Sequence, residues 1–213
     1  MIHGARPVAV AVAAALALIA CSGGLKSDAP AVQAWRLEPP APAAPVATAS
    51  GTEAPSGPRA ATLQVLRPLA APGLDTERIA LRQADHSLSY YAANRWAERA
   101  PELVQALAID TLRAAGRYRA VEPEGAPFAY DETLQIELRD FQADYSGEGA
   151  PQVRVALDCT LGRRSDRAVL ATFRLEGSAA AAADRMSAIV AAFDAALGAA
   201  LDGLPARLDG VNR

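Results

Sequence analysis

The sequence predicts an α+β fold, a two-layer sandwich in which two main helices, at about 101–115 and 179–201, pack on one face of a largely antiparallel sheet. Two observations support this prediction. Between about residues 134 and 175, apolar and polar side chains alternate over three long runs, which is typical of strands with one buried face. The two predicted helices instead carry apolar residues at three- and four-residue spacing, with polar residues off that stripe.

The first 20 residues resemble a secretory signal peptide. A weakly basic start is followed by an uncharged apolar run over residues 7–20, which is too short to span a bilayer as a helix. The run ends at Leu18-Ile19-Ala20-Cys21, which resembles the bacterial lipobox, in which the cysteine is acylated and becomes the new N-terminus. We therefore predict that Cys21 is a lipid attachment site; the alternative is an incidental cysteine in an ordinary cleavable signal.

An acylated Cys21 would anchor the protein to a membrane by its N-terminus. Each buried methylene contributes about 0.8 kcal/mol, so two or three acyl chains hold a protein almost irreversibly. The residue after the cysteine is Ser22 rather than Asp, which in proteobacterial lipoproteins implies sorting to the outer membrane. The predicted location is therefore the periplasmic face of the outer membrane of a Gram-negative bacterium.

Composition divides the rest of the chain. Seven of the 15 prolines lie within residues 22–61, and such a segment has too few large apolar groups to offset the entropy of ordering. We predict a lipidated cysteine and tether at 21–34, a domain at 35–203 with a proline-rich insertion at about 40–61, and a C-terminal tail at 204–213. The first predicted strand is Trp35-Arg36-Leu37, which Pro39-Pro40 ends.

The first half of the domain predicts short strands and one helix. Strands are expected at 63–66, 78–81, 88–91 and 118–121. The helix at 101–115 begins with Pro101, which suits the first helical turn, and Gly116 suits its C-terminal cap.

The second half predicts three long strands and the last helix. The alternation of Leu134, Ile136 and Leu138 changes phase at Phe141, which predicts a bulge near Arg139-Asp140. The runs 153–161 and 169–175, joined by a polar turn, predict a hairpin. The helix at 179–201 would follow Ser178 as its N-cap.

Charge and residue usage argue against several functions. The net charge of −3 and the pI near 5.5 give no electrostatic basis for nucleic-acid binding. Neither a Cys-x-x-Cys nor a His-x-x-x-His spacing occurs, and no phosphate-binding glycine loop precedes a helix, so we predict no metal site and no cofactor. Cys159 alternates with apolar residues on its strand and is expected to be a buried, inert thiol.

An enzyme is not predicted. Asp85, His86 and Ser87 are consecutive, and adjacent residues cannot place three side chains around one reacting atom. We interpret this trio as a solvated turn.

An aromatic and basic stretch is the predicted partner-binding region. Tyr90, Tyr91, Arg95 and Trp96 lie within seven positions, between a strand and the first helix. Consecutive tyrosines on a strand face opposite ways, so one of them is expected in the core. Trp96 has two interpretations, a core anchor or part of an interface, and both stay open at this point.

Three motifs resemble one protein family: Trp35-Arg36-Leu37-Glu38-Pro39, Pro72-Gly73-Leu74-Asp75-Thr76-Glu77-Arg78-Ile79, and Tyr90-Tyr91-Ala92-Ala93-Asn94-Arg95-Trp96-Ala97. Together with the lipobox they are similar to the ABC-type transport auxiliary lipoproteins, the group that includes paraquat-inducible protein C. The resemblance extends over about 35–201 and departs from the family in the long proline-rich insertion.

That resemblance implies a non-catalytic, outer-membrane-anchored periplasmic subunit. It would work with an MCE-domain (mammalian cell entry) protein, an ABC ATPase and a permease to move lipids or other hydrophobic molecules between the two membranes. Self-association into a homo-oligomer also stays open. The alternative function is a periplasmic lipoprotein that itself binds and carries a lipid or small apolar ligand, which would require an apolar cavity.

Overall fold

The computed structural model describes residues 31–38 and 59–212. The signal peptide, Cys21 and most of the predicted insertion lie outside these residues. The elements in the described ranges are nine strands, three α-helices and a short 3-10 helix: β1 (Gln33–Trp35), β2 (Arg59–Val65), β3 (Leu69–Ala70), β4 (Arg78–Arg82), β5 (Leu88–Trp96), α1 (Ala100–Ala115), β6 (Tyr118–Pro123), β7 (Glu132–Asp144), β8 (Gln152–Arg163), β9 (Val169–Ala180), α2 (Met186–Asp202), α3 (Leu204–Asp209) and Gly210–Asn212.

The strand β7 organises the sheet. On one side it pairs with β8 in antiparallel fashion along its whole length, and β9 pairs with β8 in the same way. On its other side β7 pairs in parallel with three short strands in turn: β2, then β3, then β4. Beyond these, β6 adds to β2, β5 adds to β4 and β1 adds to β5. The sheet is therefore mixed: β7, β8 and β9 pair in antiparallel fashion, as do β4 and β5, and the other pairings are parallel.

The α+β prediction is confirmed. The core-facing residues of β7 and β8 are fully buried beneath the helices, and α1 and α2 also contact each other. The predicted bulge is present, since the β7–β8 register shifts between Leu138 and Asp140. Helix α1 has the predicted ends: Pro101 lies in its first turn, and Gly116 caps it with a φ of +62°.

The last long helix starts later than the sequence predicts. Residues 179–185 were expected in the helix, with Ser178 as N-cap, whereas α2 begins at Met186 after Arg185. Ser178, Ala179 and Ala180 instead complete β9, where Ala179 pairs with Val153. Alanine has a high intrinsic helix propensity. The hydrogen bonds and contacts that these residues make with β8 outweigh that propensity here.

The prediction of a C-terminal tail at 204–213 is wrong for residues 204–209. Leu204–Asp209 forms α3, and Leu204 and Leu208 are fully buried one turn apart. This short helix contacts both α1 and α2. The folded domain therefore continues beyond residue 203.

The apolar helical stretch at the end of the domain belongs to the core. An 18-residue window within Met186–Asp209 has a mean hydropathy of 1.5, and the stretch is long and apolar enough to cross a membrane by length and composition. However, 61% of that window is buried inside the structure. It is the one such helix within the described ranges, and its packing is that of a core helix.

Helix α2 lies directly on the backbone of β9 at Gly177. A Cβ atom placed on Gly177 would overlap the carbonyl oxygen of Ala196 and lie 2.8 Å from the amide nitrogen of Ala200. The closeness of helix and strand thus depends on the missing side chain at this position.

Cys159 is a buried thiol, as expected. It is fully buried on β8, and burial raises its pKa to about 12. Only the thiolate is an effective nucleophile. We expect Cys159 to resist an aromatic disulfide reagent at pH 8 in the folded protein and to react fully in denaturant. Rapid reaction without denaturant, in a chain whose melting temperature is unchanged, would contradict its buried placement.

Candidate partner-binding surface

The predicted partner residues lie on β5, whose path is irregular. Arg95 pairs with Arg78 of β4, whereas Tyr90 pairs with Ala80, so a single residue of β4 faces four residues of β5. Ala93, within this bulge, has a φ of +54°, which is unusual for a residue other than glycine. The bulge changes which side chains of β5 face the core, so the simple alternation expected of the strand does not hold.

Tyr90 is half-buried at the surface. Its hydroxyl donates a hydrogen bond to the carbonyl oxygen of Gly73 at 2.9 Å, and the guanidinium of Arg78 lies 3.8 Å from the centre of its ring. Gly73 has a φ of +87°, and a Cβ atom there would overlap the side chain of Leu88. The Pro72-Gly73 turn therefore packs against an apolar and aromatic patch formed by Leu88 and Tyr90.

Tyr91 takes part in a hydrogen-bond chain that joins three elements. Its hydroxyl donates to the hydroxyl of Tyr145 at 3.0 Å, and Tyr145 donates to the Asp184 carboxylate at 2.6 Å. Burial raises the pKa of both tyrosines, so both stay protonated at neutral pH. This chain links β5 to the residues between β9 and α2, a role that no local motif indicates.

Arg95 is exposed and pairs with Glu77 at 2.6 Å. Both side chains are about half exposed, so this ion pair contributes little to folding. Close to it, the Asp75 carboxylate accepts hydrogen bonds from Arg99 and Arg67, which hold the pKa of Asp75 below its usual range. The surface around Arg95 is therefore rich in arginine and carboxylate groups.

Trp96 is buried, so it does not belong to the partner-binding surface that the sequence predicts. Its side chain is 0% exposed and packs against Phe141 and Phe193, with ring centres 5.7 Å and 5.0 Å away. Phe141 and Phe193 also contact each other at 5.0 Å. Of its two interpretations, the core anchor is the one that the structure bears out.

The motif Leu74–Ile79 joins β4, β5 and α1. The Leu74 side chain is buried, the carbonyl of Thr76 accepts the amide of Ala100, and the carbonyl of Glu77 accepts the amide of Trp96. Asp75 reaches Arg99 at the start of α1. These bonds fix the end of β5, and with it the position of Arg95.

The sequence did not indicate how the N-terminal segment binds the domain. β1 pairs in parallel with β5, and the indole N–H of Trp35 donates to Asn94 at 2.9 Å. The chain after β1 is held by α2, since the backbone N–H of Glu38 donates to the Asp194 carboxylate at 2.9 Å. Burial raises the pKa of Asp194, and Leu37 is buried. The chain therefore enters the folded domain beside the strand that carries Tyr90 and Arg95.

Asp85, His86 and Ser87 form the predicted turn. His86 has a φ of +67°, and the Asp85 carboxylate accepts the backbone N–H of Ser87 rather than a proton from His86. The Nδ1 atom of His86 lies 2.9 Å from the Arg82 guanidinium. His86 thus contacts Arg82, whereas in a catalytic triad the histidine lies between the carboxylate and the hydroxyl, so this geometry does not match a triad.

Two findings concern ligands. Within residues 31–38 and 59–212, no three His, Cys, Asp or Glu side chains come together in a way that could hold a metal ion. An open cleft of about 410 Å³ on the described surface lies between the start of β7 and the β8–β9 turn, and its lining includes Tyr130, Arg163, Arg164 and Arg167. A lining with three arginines does not resemble a site for an apolar ligand.

The comparison with protein families gives one match. The family described as ABC-type transport auxiliary lipoprotein component matches residues 37–203. This range includes the Leu74–Ile79 turn, β5 and both long helices. No curated protein matches the sequence.

Solved structures share the fold. The crystal structure of protein XCC0632 from Xanthomonas campestris is 26% identical, with a TM-score of 0.66 over 75% of this chain and 91% of that one. An uncharacterized protein is 13% identical, with a TM-score of 0.58 over 70% and 92% of the two chains. A weaker match, which does not establish a shared fold, is the PelC dodecamer from Paraburkholderia phytofirmans, 19% identical with a TM-score of 0.42 over 72% of this chain and 95% of that one.

Proposed function

Because the chain belongs to the family of ABC-type transport auxiliary lipoprotein components, we propose that it is a non-catalytic, membrane-anchored periplasmic subunit that docks onto the MCE-domain protein of an intermembrane transporter. The cargo of that transporter would be lipids or other hydrophobic molecules. The observation that carries the proposal is the family match over residues 37–203. Cys21 would supply the anchor in the outer membrane, and residues 22–32 would connect it to the domain.

The surface proposed for docking is the patch of Leu88, Tyr90 and Arg95. Leu88 is 39% exposed and Tyr90 is half-buried. Arg95 is exposed on the same strand and pairs in register with Arg78, whose guanidinium lies over the Tyr90 ring. Tyrosine and arginine are the residues most enriched where binding energy concentrates in protein interfaces. The Tyr91 hydroxyl is bound within the hydrogen-bond chain to Tyr145 and Asp184. We therefore expect Tyr91 to hold β5 in position rather than to contact the partner.

Reversing the charge of Arg95 is the direct test of this surface. We expect Arg95→Glu to lower capture of the MCE-domain protein from detergent extracts by about tenfold or more. Arginine is enriched among the interface residues whose loss costs about 2 kcal/mol or more, and about 1.4 kcal/mol corresponds to tenfold. The matched control is Arg207→Glu, which makes the same charge change at an exposed position of α3. Equal capture by both variants, with unchanged melting temperatures, would argue against this surface. Absence of capture of any MCE-domain protein by the unmodified chain under crosslinking would count against the docking role itself.

The anchor has its own test. We expect Cys21→Ala to abolish incorporation of labelled palmitate and to move the protein out of the membrane fraction, or to leave its signal uncleaved, because the predicted acylation site is lost. Cys159→Ala is the matched control, since it removes the buried thiol and should leave labelling and fractionation unchanged. The anchor would be refuted if Cys21→Ala were still cleaved at its signal and its membrane fraction were unchanged. Separation of inner from outer membranes by density would test the sorting implied by Ser22.

A further inference from the structure

The cleft between the start of β7 and the β8–β9 turn has a basic lining. Its volume is about 410 Å³, and three guanidinium groups line it, those of Arg163, Arg164 and Arg167. No carboxylate is among the described residues that line it. The three arginines are exposed and belong neither to the core nor to the proposed docking surface on β5. A concave site with this charge favours an anionic ligand.

Three neighbouring strands form the floor of the cleft. Thr133 of β7 is opposite Gly162 of β8, which in turn is opposite Val169 of β9, and all three residues line the cleft. A Cβ atom on Gly162 would lie 3.2 Å from the hydroxyl oxygen of Thr133. The missing side chain at Gly162 therefore leaves room beside that hydroxyl group. The Val169 side chain, which is 66% exposed, adds an apolar edge.

Hydrogen bonds hold the turn that carries the arginines. The backbone N–H of Arg163 donates to the carbonyl oxygen of Ala168 at 2.8 Å, and that of Arg164 donates to the carbonyl oxygen of Asp131 at 2.9 Å. The Arg164 guanidinium also lies 4.5 Å from the centre of the Tyr130 ring, in the loop before β7. The walls of the cleft are therefore formed without a ligand, which lowers the cost of ordering them on binding.

Two of the three guanidinium groups have no acidic partner in the described part of the chain. Arg163 pairs with Asp166 at 3.1 Å. Arg164 and Arg167 form no ion pair with any described carboxylate. Three positive charges less the one carboxylate leave a surplus of two at this cleft.

The other carboxylates close to the cleft are bound elsewhere. Asp131 pairs with Arg119 at 3.6 Å. Glu132 is buried and accepts a hydrogen bond from the Tyr118 hydroxyl at 3.0 Å. Neither carboxylate therefore neutralises the surplus charge.

The surplus charge and the floor hydroxyl match a phosphate monoester. Such a group carries close to two negative charges at neutral pH and has three acceptor oxygens. Guanidinium groups bind phosphate oxygens through paired N–H donors, and a threonine hydroxyl adds another donor. The cleft volume of about 410 Å³ is within the range of small-molecule sites, roughly 300–1,000 Å³, so it also has room for the organic group that the phosphate esterifies.

We propose that this cleft binds the phosphate monoester group of an organic ligand. Arg164, Arg167 and the Thr133 hydroxyl contact the phosphate oxygens, and the esterified group lies beside Val169. Two sources present this chemistry, the headgroup of phosphatidic acid in a membrane and a soluble phosphate monoester. In the sheet, β4 and β7 separate the cleft from the docking surface on β5, so this site does not depend on the docking role.

The phosphorus-31 NMR signal of the ligand measures this binding directly. The full-length lipoprotein in nonionic detergent is titrated against two probes, sn-glycerol 3-phosphate in solution and dioctanoyl phosphatidic acid in the same micelles. We expect saturable broadening of the signal of at least one probe. Binding of the lipid alone would support a lipid headgroup as the source, and binding of glycerol 3-phosphate would support a site open to soluble monoesters. Absence of saturable binding of both probes overturns the proposal.

A pair of double variants tests whether the cleft is the site. We expect Arg164→Gln with Arg167→Gln to weaken binding by about tenfold or more, because charge-assisted hydrogen bonds to phosphate are lost. The matched control is Arg36→Gln with Arg207→Gln, which removes the same charge at two exposed positions on other elements. The control should change the affinity by less than about twofold, since exposed charges far from the ligand are screened by salt. Equal affinities of the two double variants, at unchanged melting temperatures, would overturn the assignment to this cleft.

Discussion

Replacing Gly177 by alanine is expected to lower the free energy of unfolding by about 3 kcal/mol or more. The added methyl group would overlap the Ala196 carbonyl oxygen and press on the Ala200 amide, and both are backbone atoms of a helix. Backbone cannot move aside by changing a rotamer, so α2 as a whole would have to lift from β9. Overpacking of this kind costs about 1–3 kcal/mol and more where relief requires an element to shift.

Gly147→Ala is the matched control for this prediction. Its φ is not in the left-handed region, and no atom lies within 4 Å of the position that its Cβ would take. We expect a change within about 0.5 kcal/mol, as for ordinary surface substitutions. Urea denaturation followed by circular dichroism measures both variants. Equal stability of the two would show that α2 does not approach β9 as closely as described.

Replacing Phe193 by alanine is expected to cost about 3–5 kcal/mol, the second large effect. The Phe193 ring contacts the rings of both Trp96 and Phe141, and all three side chains are almost wholly buried. Removing it deletes apolar contacts and leaves a cavity between β5, β7 and α2 that the rigid strands cannot close. The aromatic contacts themselves add about 0.5–1.5 kcal/mol for each pair.

Phe128→Ala is the matched control, because it removes the same side chain from an exposed position. The Phe128 side chain is 64% exposed in the loop before β7, so Phe128→Ala should change the free energy of unfolding by less than about 0.5 kcal/mol. The two variants differ only in where the ring lies. A small effect at Phe193 would contradict the placement of the aromatic cluster at the centre of the core.

Patterns that depend on neighbours in sequence predicted the structure well. The change of phase at Phe141 located the bulge in β7, and Pro101 and Gly116 located both ends of α1. In each case the determining interaction is local, either the two-residue repeat of a strand or the capping of a helix. The helix prediction failed at 179–185 because residues 179 and 180 pair with β8, so the helix can begin only after the strand has ended. That pairing is not visible in a run of alanines.

The candidate site was predictable only in part. The sequence indicated the aromatic and basic stretch. It did not indicate the bulge at Ala93, which changes which side chains of β5 face outward and places Trp96 in the core. The partner of Tyr91 is Tyr145, 54 positions away, and the partner of Glu38 is Asp194, 156 positions away. Contacts over such distances depend on the order of strands in the sheet, which the sequence pattern of each strand does not determine.

The attachment of β1 has a mechanical consequence. If Cys21 is the membrane anchor, a pull from the membrane would reach the described fold through β1, the buried Leu37 and the bond from Glu38 to Asp194. These contacts hold the chain to β5 on one side and to α2 on the other. The load would therefore enter the domain at an edge of the sheet, next to the strand that carries Tyr90 and Arg95, and β7, β8 and β9 would not bear it directly.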